Sequence, residues 1–565
     1  MTAPIEPAAP GVSGQAQDVP ATAAGETRRA PGRGPRQWLT ARQLALFACL
    51  LLLGELFLFH RMAWSGLHQT AGDYVDHMLV NFICEHEYLW LVGRPDHASL
   101  WDPPVFFPAR GTLVYAETFL GAAPFYCPWR LLGFAPDTAY QLWMMTLPAL
   151  NFAAAFLLFR RGFRFAALPA LAGSFLCAFG NLLAAQVNNP QLHTIFYTYL
   201  ALYFLCRLCR GGPRPWSAWG LAGAVTAQLY ACFYLGWLCV FLLACAGLCM
   251  LATRELRGRL WAALRPNLAA LGMAAVLAAL ALSPLLVRAL AVVRELSWAN
   301  DATTAMPQLR SWIYMGRRSL LYFWFSRSAL FADMPCEPEQ RLGLGLATAV
   351  CAAIGFWRRR EDAWMRLLLA VTALLIVLTT QLPGGFTLWT AVRAVVPGAR
   401  ALRYVSRAGI LLLLPAGVGL AAFVASRRRW AWTTVAVLGL CGAEQVYSEY
   451  TFSKDGARAA VAHYTAAIDP GCRSFYIAVE DDRGGRATAA WVYEVEIMMA
   501  QVASRVPAVN GGYTRFQPPG YGSLSQNVVA GPRDVERLRR DLAGWRRLHG
   551  LREEDVCWTE VARPR

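Results

Sequence analysis

Residues 234–251 read YLGWLCVFLLACAGLCML, a run without a single charge, and TRELRGR follows directly after Ala252. As an α-helix such a run is about 27 Å long, close to the roughly 30 Å hydrocarbon thickness of a bilayer. Basic residues that follow a span, here Arg254, Arg257 and Arg259, are typical of its cytoplasmic end. The stretch therefore predicts a helix that crosses a membrane.

Similar apolar runs recur along the chain, which has 565 residues, 56% of them hydrophobic. This composition predicts an all-α polytopic membrane bundle with about eleven transmembrane helices. The expected spans lie at 43–60, 138–158, 166–183, 191–208, 216–232, 234–251, 268–288, 341–357, 366–382, 404–425 and 431–447.

The arginine clusters between these runs predict the orientation. If the N-terminus is cytoplasmic, five clusters all face the cytoplasm, as the positive-inside rule requires. They are Arg160/Arg161/Arg164, Arg207/Arg210/Arg214, Arg254/Arg257/Arg259, Arg358/Arg359/Arg360 and Arg427/Arg428/Arg429.

One more apolar run, AETFLGAAPFYCPWRLLG at 116–133, contains Pro124 and Pro128, which break a helix. We expect this run to be re-entrant or interfacial rather than spanning.

Three segments follow from this topology. Residues 1–38, rich in Ala, Pro and Gly, predict a disordered cytoplasmic tail, and residues 39–447 form the membrane domain. Residues 448–565 combine strand-like stretches such as RSFYIAV with an amphipathic helix, which predicts a small extracytoplasmic α/β domain. The net charge of +17 is spread over short loops. It favours membrane orientation over a nucleic-acid surface, so no nucleic-acid partner is expected.

Most of the fifteen cysteines lie in apolar runs, where cysteine is a small hydrophobic residue. Cys472 and Cys557 differ because both lie in the polar C-terminal segment. In an oxidising compartment they could form a disulfide, and two free thiols are the alternative.

The loop after the first span carries an acidic helix, DYVDHMLVNFICEHEYLWLV, at 73–92. Helical spacing places Asp73, Asp76 and His77 on one face. Two carboxylates at a membrane surface can bind a divalent cation or accept a proton from a hydroxyl group. Helix capping by Asp73 is the other interpretation. The CEHEY motif at 84–88 predicts a solvated face.

One arginine cluster lies at the outer side, against the positive-inside rule: Arg393, Arg400, Arg403 and Arg407 in AVRAVVPGARALRYVSRAG. A helix that starts after Pro397-Gly398 would bring Arg400, Arg403 and Arg407 onto one face, where they could bind a phosphate. Snorkelling to lipid headgroups or pairing with outer-loop acids would explain the same residues.

In the loop 289–340, aromatic residues with Arg317 and Arg318 fit either sugar and lipid-phosphate contacts or an interfacial helix.

Three stretches resemble the GT-C superfamily of membrane glycosyltransferases, of the bacterial type with a C-terminal periplasmic domain. They are LWDPPVFFPARG, VVPGARALRYVSRAGILLLL and PAVNGGYTRFQPPGY, together with the Gly-Asp pair at Asp73. The resemblance implies a plasma (inner) membrane enzyme that uses a polyprenyl-phosphate-linked sugar and a glycan, lipid or protein acceptor. It also implies that Asp73, or Asp76 as second choice, is the base or a ligand of Mg²⁺ or Mn²⁺.

The metal is less well supported than the base. Such enzymes carry a further acid on the next outer loop, where AAQVNNPQLH has none, and His193 is the remaining candidate ligand there. A structural histidine is the alternative. A lipid or lipid-linked sugar transporter, or a non-catalytic relative, would also fit the arginines.

Overall fold

The computed structural model describes residues 40–295, 305–426, 432–448, 450–481, 486–513 and 517–564. The predicted tail at 1–38, the cluster Arg427/Arg428/Arg429 and residues 514–516 of the stretch PAVNGGYTRFQPPGY lie outside these ranges. The membrane part consists of helices α1 (Ala41–Trp64), α2 (Tyr74–Leu91), α3 (Cys127–Leu131), α4 (Pro136–Leu157), α5 (Ala167–Phe179), α6 (Asn181–Ala184), α7 (Phe196–Leu208), α8 (Pro215–Ala231), α9 (Phe233–Ala252), α10 (Arg254–Leu264), α11 (Leu268–Glu295), α12 (Leu346–Arg358), α13 (Ala363–Thr379), α14 (Trp389–Val395), α15 (Leu413–Ala425) and α16 (Trp432–Glu444).

Each of the eleven predicted spans coincides with a helix, so the all-α membrane fold is confirmed. Among the described residues, six helical stretches are by themselves long and apolar enough to cross a membrane. They are Ala41–Trp64, Pro136–Gly162, Ala167–Ala184, Phe233–Ala252, Arg254–Val292 and Val405–Ala425. The run at 116–133 contains only a 3₁₀ turn at Ala123–Phe125 and the five-residue α3, so no helix crosses there.

Helix α15 lies at the centre of the bundle, buried along its length between α5 and α12. Glycines permit this close packing. Gly417 faces Gly173 of α5, and a Cβ placed on Gly355 of α12 would overlap the backbone of Gly419. Close approach of small residues is the usual way that membrane helices pack, because lipid tails offer no hydrophobic gain between helices.

The structure brings several of the arginine clusters to one end of the bundle. The Arg210 side chain donates to the backbone carbonyl of Gly162, and Arg359 stacks on Phe165 at 5.1 Å. These contacts join the loops after α4, α7 and α12. The loop that carries α2 lies at the opposite ends of α1 and α4, as the predicted topology requires.

The C-terminal segment adds helices α17 (Lys454–Ala466), α18 (Arg486–Ser504) and α19 (Pro532–Leu548). Strand β1 (Gln69–Ala71), before α2, pairs antiparallel with β2 (Thr451–Ser453). Strands β3 (Phe475–Glu480), β4 (Val528–Val529) and β5 (Cys557–Ala562) form a parallel sheet in the order β4-β3-β5. A disulfide joins Cys472 to Cys557, with their Cα atoms 6.0 Å apart. Because α18 packs on α2, this α/β unit is anchored to the acidic helix.

The predicted solvated face at 84–88 is wrong. Helix α2 is covered by α4 and α18, and Cys84, Glu85, His86 and Glu87 are all buried. Glu85 accepts hydrogen bonds from Arg130 at 2.7 Å and from the Tyr126 hydroxyl at 2.6 Å, which compensates its burial. The sequence pattern failed because α2 is enclosed by other segments instead of lying on a surface.

Candidate functional site

A cavity of about 810 Å³ lies between α2, α8, α9 and α11. Loop residues from 114–119, 185–191, 338–339 and 401–407 complete its walls, and Trp491 of α18 contributes from the C-terminal domain. Both Asp73 and Asp76 line this cavity, and so do Arg403 and Arg407. The structure therefore brings the early acids and two of the late arginines to one enclosed space.

The two acids have different roles in the local structure. Asp73 is the N-cap of α2, and its Oδ1 accepts a hydrogen bond of 3.0 Å from the backbone N–H of Asp76. The backbone N–H of Asp73 donates to Oδ1 of Asn188 at 3.1 Å, which ties the start of α2 to the 185–191 loop. The capping geometry is thus present, and one carboxylate oxygen of Asp73 is engaged in it.

The electrostatic settings of the two acids differ. Burial and the adjacent Asp73 carboxylate raise the pKa of Asp76 to about 7, although Arg407 acts in the opposite direction. Burial also raises the pKa of Asp73, while the N–H groups of the first helical turn oppose that rise. A carboxylate that titrates near neutral pH can accept a proton and release it again during turnover.

Arg407 is buried and already paired. Its Nη2 lies 2.8 Å from Oε1 of Glu339 and donates to Oδ1 of Asn189 at 2.8 Å. The guanidinium also lies 4.8 Å from the ring centres of Tyr234 and Tyr404. These contacts hold Arg407 in one position and neutralise much of its charge within the protein.

Arg403 is the more available cation. It is half-buried, its guanidinium lies 4.6 Å from the Tyr404 ring, and its backbone N–H donates to the Tyr234 hydroxyl at 2.7 Å. Within the described ranges no carboxylate lies within ion-pair distance of this side chain. Arg403 therefore offers unpaired positive charge to the cavity.

The prediction of a single helix through 400–407 is wrong. A 3₁₀ turn covers Ala399–Ala401, the chain is extended at Leu402 and Tyr404, and a second 3₁₀ segment, Val405–Leu412, precedes α15. The three arginines consequently do not share a helical face. Arg400 is exposed and donates to the carbonyl of Arg393 at 3.4 Å. Neither Arg393 nor Arg400 is among the residues that line the cavity.

The structure adds two acids that the sequence analysis missed, Glu117 and Glu339. The Oε2 atom of Glu117 accepts a hydrogen bond of 2.9 Å from the N–H of Phe233 at the start of α9, and burial raises its pKa. Glu339 lies in a 3₁₀ turn, Glu337–Gln340, and pairs with Arg407. Neither acid belongs to a periodic pattern, so no local sequence signal marks them.

Other predicted site residues lie elsewhere. His77 is a buried residue of α2, and the Tyr140 hydroxyl of α4 lies 2.8 Å from its Nδ1. Burial lowers the pKa of His77 to about 3. His193 is likewise buried. Arg318 donates to the carbonyl of Ser448 at 3.1 Å, and Arg317 is exposed. None of these four lines the cavity, although Arg318 helps to hold the beginning of the C-terminal segment.

The described residues contain no group of three or more His, Cys, Asp and Glu side chains that could hold a metal ion. Asp73 and Asp76 are the carboxylates that could contribute oxygen ligands to Mg²⁺ or Mn²⁺, and one oxygen of Asp73 is already engaged as a helix cap. Metal dependence stays a prediction.

No family model and no curated protein sequence matches the chain. Among solved structures, the chain is similar to ArnT from Cupriavidus metallidurans in the apo state. The TM-score is 0.31 at 12% sequence identity, over 82% of this chain and 89% of that chain. So distant a likeness carries no argument about the chemistry of this chain.

Proposed function

We propose that this protein is a membrane glycosyltransferase that moves a sugar from a polyprenyl-phosphate donor to an extracytoplasmic acceptor. One observation carries the proposal: an acid pair and an available guanidinium line the same cavity, which also has an apolar wall. A lipid-linked sugar phosphate has three chemical parts. The apolar wall suits its lipid chain, the guanidinium suits its phosphate, and the acid pair suits the reaction at its sugar.

The apolar wall suits the lipid chain. Helix α11 contributes five aliphatic residues to the cavity, and α2 contributes three more opposite the polar loops. These residues are Leu282, Leu285, Leu286, Ala289, Val292, Leu79, Val80 and Ile83. The other side of α11 is exposed, with Leu280, Val287 and Leu290 more than half accessible. This single helix therefore separates the cavity from the bilayer, and a prenyl chain beside it would stay in apolar surroundings.

The phosphate is assigned to Arg403, with Arg407 contributing to the local potential. A guanidinium can bind two phosphate oxygens at once, and a partly enclosed position strengthens the attraction. As the bond between the anomeric carbon and the phosphate oxygen breaks, negative charge increases on the phosphate. Fixed positive charge beside it therefore stabilises the transition state more than the bound donor.

Asp76 is assigned as the base, ahead of Asp73. The acceptor hydroxyl gives its proton to the Asp76 carboxylate while its oxygen bonds to the anomeric carbon. The phosphate leaves from the opposite side with the electron pair of the broken bond, which inverts the anomeric configuration. Asp73 caps α2, and its charge adds to the effect of burial in raising the pKa of Asp76 to about 7.

Cellular location follows from the same reasoning. We propose a multi-pass protein of the plasma (inner) membrane with a cytoplasmic N-terminus, because the grouped arginine clusters lie at the end opposite α2. The cavity and the disulfide-bonded C-terminal domain are then extracytoplasmic, where a disulfide persists.

Reconstitution tests the function directly. The purified protein is placed in vesicles with radiolabelled polyprenyl-phosphate sugars and an envelope-derived acceptor mixture. We expect label to move to the acceptor, and Asp76→Asn to reduce this transfer by about a hundredfold or more, because general-base groups contribute roughly 10²- to 10⁴-fold. Movement of the lipid-linked sugar across the vesicle without any transfer would instead identify a transporter.

A further inference from the structure

Trp491 is the residue through which the C-terminal domain reaches the cavity. No other residue of that domain, within its described part, is among those that line the cavity. It lies on α18, and the remainder of that helix packs against α2 and α17. The cavity thus has a membrane-embedded part and a single aromatic contact from the domain above it.

The side chain of Trp491 is only about half covered. It is 49% exposed, whereas Tyr476, Tyr493, Tyr521 and Trp545 of the same domain are at most 4% exposed. A large aromatic side chain gains most of its stabilising effect from burial, and a ring with an uncovered face can stack on a ligand in the cavity.

Packing fixes the position of Trp491 relative to the acid pair. The Tyr74 hydroxyl, in the first turn of α2, donates to Oε1 of Glu496 at 2.7 Å. Glu496 and Trp491 belong to the same helix, five residues and about 7.5 Å of helical rise apart. Asp73 and Asp76 lie within two residues of Tyr74, so this hydrogen bond and the packing of α18 on α2 hold α18 beside both carboxylates.

The cavity wall next to Asp73 is formed by polar side chains. The loop 185–191 contributes four amide groups, those of Gln186, Asn188, Asn189 and Gln191. Gln186 and Asn189 hydrogen-bond to each other, Asn189 also accepts from Arg407, and Asn188 accepts from the backbone N–H of Asp73. Amides can donate and accept hydrogen bonds, which suits a ligand with many hydroxyl groups. Among the described residues that line the cavity, a further phosphate would have no guanidinium beyond those assigned to the donor.

We propose that Trp491 is the platform on which the acceptor rests, and that the acceptor is a neutral carbohydrate. The C–H face of a sugar ring stacks on the indole, the amides bind its hydroxyl groups, and one hydroxyl points to Asp76. This inference rests on the proposed glycosyltransferase function and names the acceptor class of the same site.

The first experiment measures transfer kinetics for wild type, Trp491→Ala and Trp491→Phe. We expect Trp491→Ala to raise the acceptor KM by about tenfold, from the loss of one aromatic contact, with the donor KM unchanged. Trp491→Phe restores much of the acceptor affinity. Trp432→Ala is the matched control, because that tryptophan is 89% exposed and lies outside the cavity. An equal rise in both KM values, or none in the acceptor KM, overturns the proposal.

A second measurement separates this inference from the proposed function. Binding of neutral oligosaccharides to the protein in nanodiscs is measured by saturation-transfer NMR, without any donor. We expect binding by wild type and Trp432→Ala, and loss of binding by Trp491→Ala. If donor turnover occurs but only a peptide or lipid hydroxyl is glycosylated, the carbohydrate proposal is wrong while the transferase stands. If oligosaccharides bind at Trp491 but no sugar is transferred, the transferase is wrong.

Discussion

Replacing Asp73 with Asn tests the division of labour between the two acids. Asn is as good an N-cap as Asp, so α2 keeps its first turn while the negative charge is lost. Burial and this charge together raise the pKa of Asp76 to about 7. Removing the charge lowers that pKa, because the ionised form of Asp76 is no longer repelled.

The size of the effect follows from the spacing. Side chains three residues apart on a helix are about 6 Å apart, and at an effective dielectric constant of about 20 two charges repel by about 2.8 kcal/mol. This repulsion corresponds to a rise of about two units in the pKa of Asp76 if Asp73 is fully ionised. The rise is smaller than that because burial raises the pKa of Asp73 as well. We expect the pKa of Asp76 to fall to between about 5 and 6.

The assay is the pH dependence of kcat for sugar transfer. The base must be ionised to act, so the wild-type rate rises with pH through about 7. In Asp73→Asn the rise moves to lower pH, and the plateau rate is retained within a few-fold. Asp73→Ala is the control, since it removes the same charge and also the cap. A loss of activity at every pH in Asp73→Asn would refute the reasoning and identify Asp73 as the base.

Three further predictions concern charge and covalent structure. Arg403→Ala should raise the donor KM by about ten- to a hundredfold, because a hydrogen bond to a charged group contributes about 1.5–3 kcal/mol. Arg400→Ala should change the donor KM little, and equal effects of the two variants would contradict the assignment of the phosphate to Arg403. Glu339→Gln should lower the free energy of unfolding by about 3 kcal/mol, because it leaves the buried Arg407 guanidinium without its carboxylate. The loss should appear as a lower apparent melting temperature, and an unchanged melting temperature would argue against a stabilising pair. Cys472→Ser should destabilise the C-terminal domain by about 4 to 5 kcal/mol, because the disulfide closes a loop of 85 residues. Wild-type melting curves measured with and without reductant should differ by a similar amount, and identical curves would contradict the prediction.

The helices were predictable because the apolar runs are long, and because arginine clusters mark one end of several of them. Pro124 and Pro128 likewise marked the run that does not cross. Asp73 and Asp76 were found because a helix start has its own signature, with a cap and an acid three residues later.

The rest of the site depends on tertiary contacts. Glu117 and Glu339 lie in irregular segments, and only the folded chain brings them to the cavity. The arginine segment was assigned the wrong conformation because helical spacing was assumed where the chain adopts 3₁₀ turns separated by extended residues. Trp491 lies more than four hundred residues from Asp76 in sequence, so no local pattern could link them.

The central claim is that acid and guanidinium act on one lipid-linked sugar in one cavity, and donor binding combined with single turnover tests it most directly. Binding of a radiolabelled polyprenyl-phosphate sugar is measured for wild type, Asp76→Asn and Arg403→Ala, followed by acceptor addition. The account predicts that Asp76→Asn binds donor normally but transfers sugar about a hundredfold or more slowly, and that Arg403→Ala binds donor weakly. Transfer by Asp76→Asn at the wild-type rate, or undiminished binding by Arg403→Ala, would contradict it.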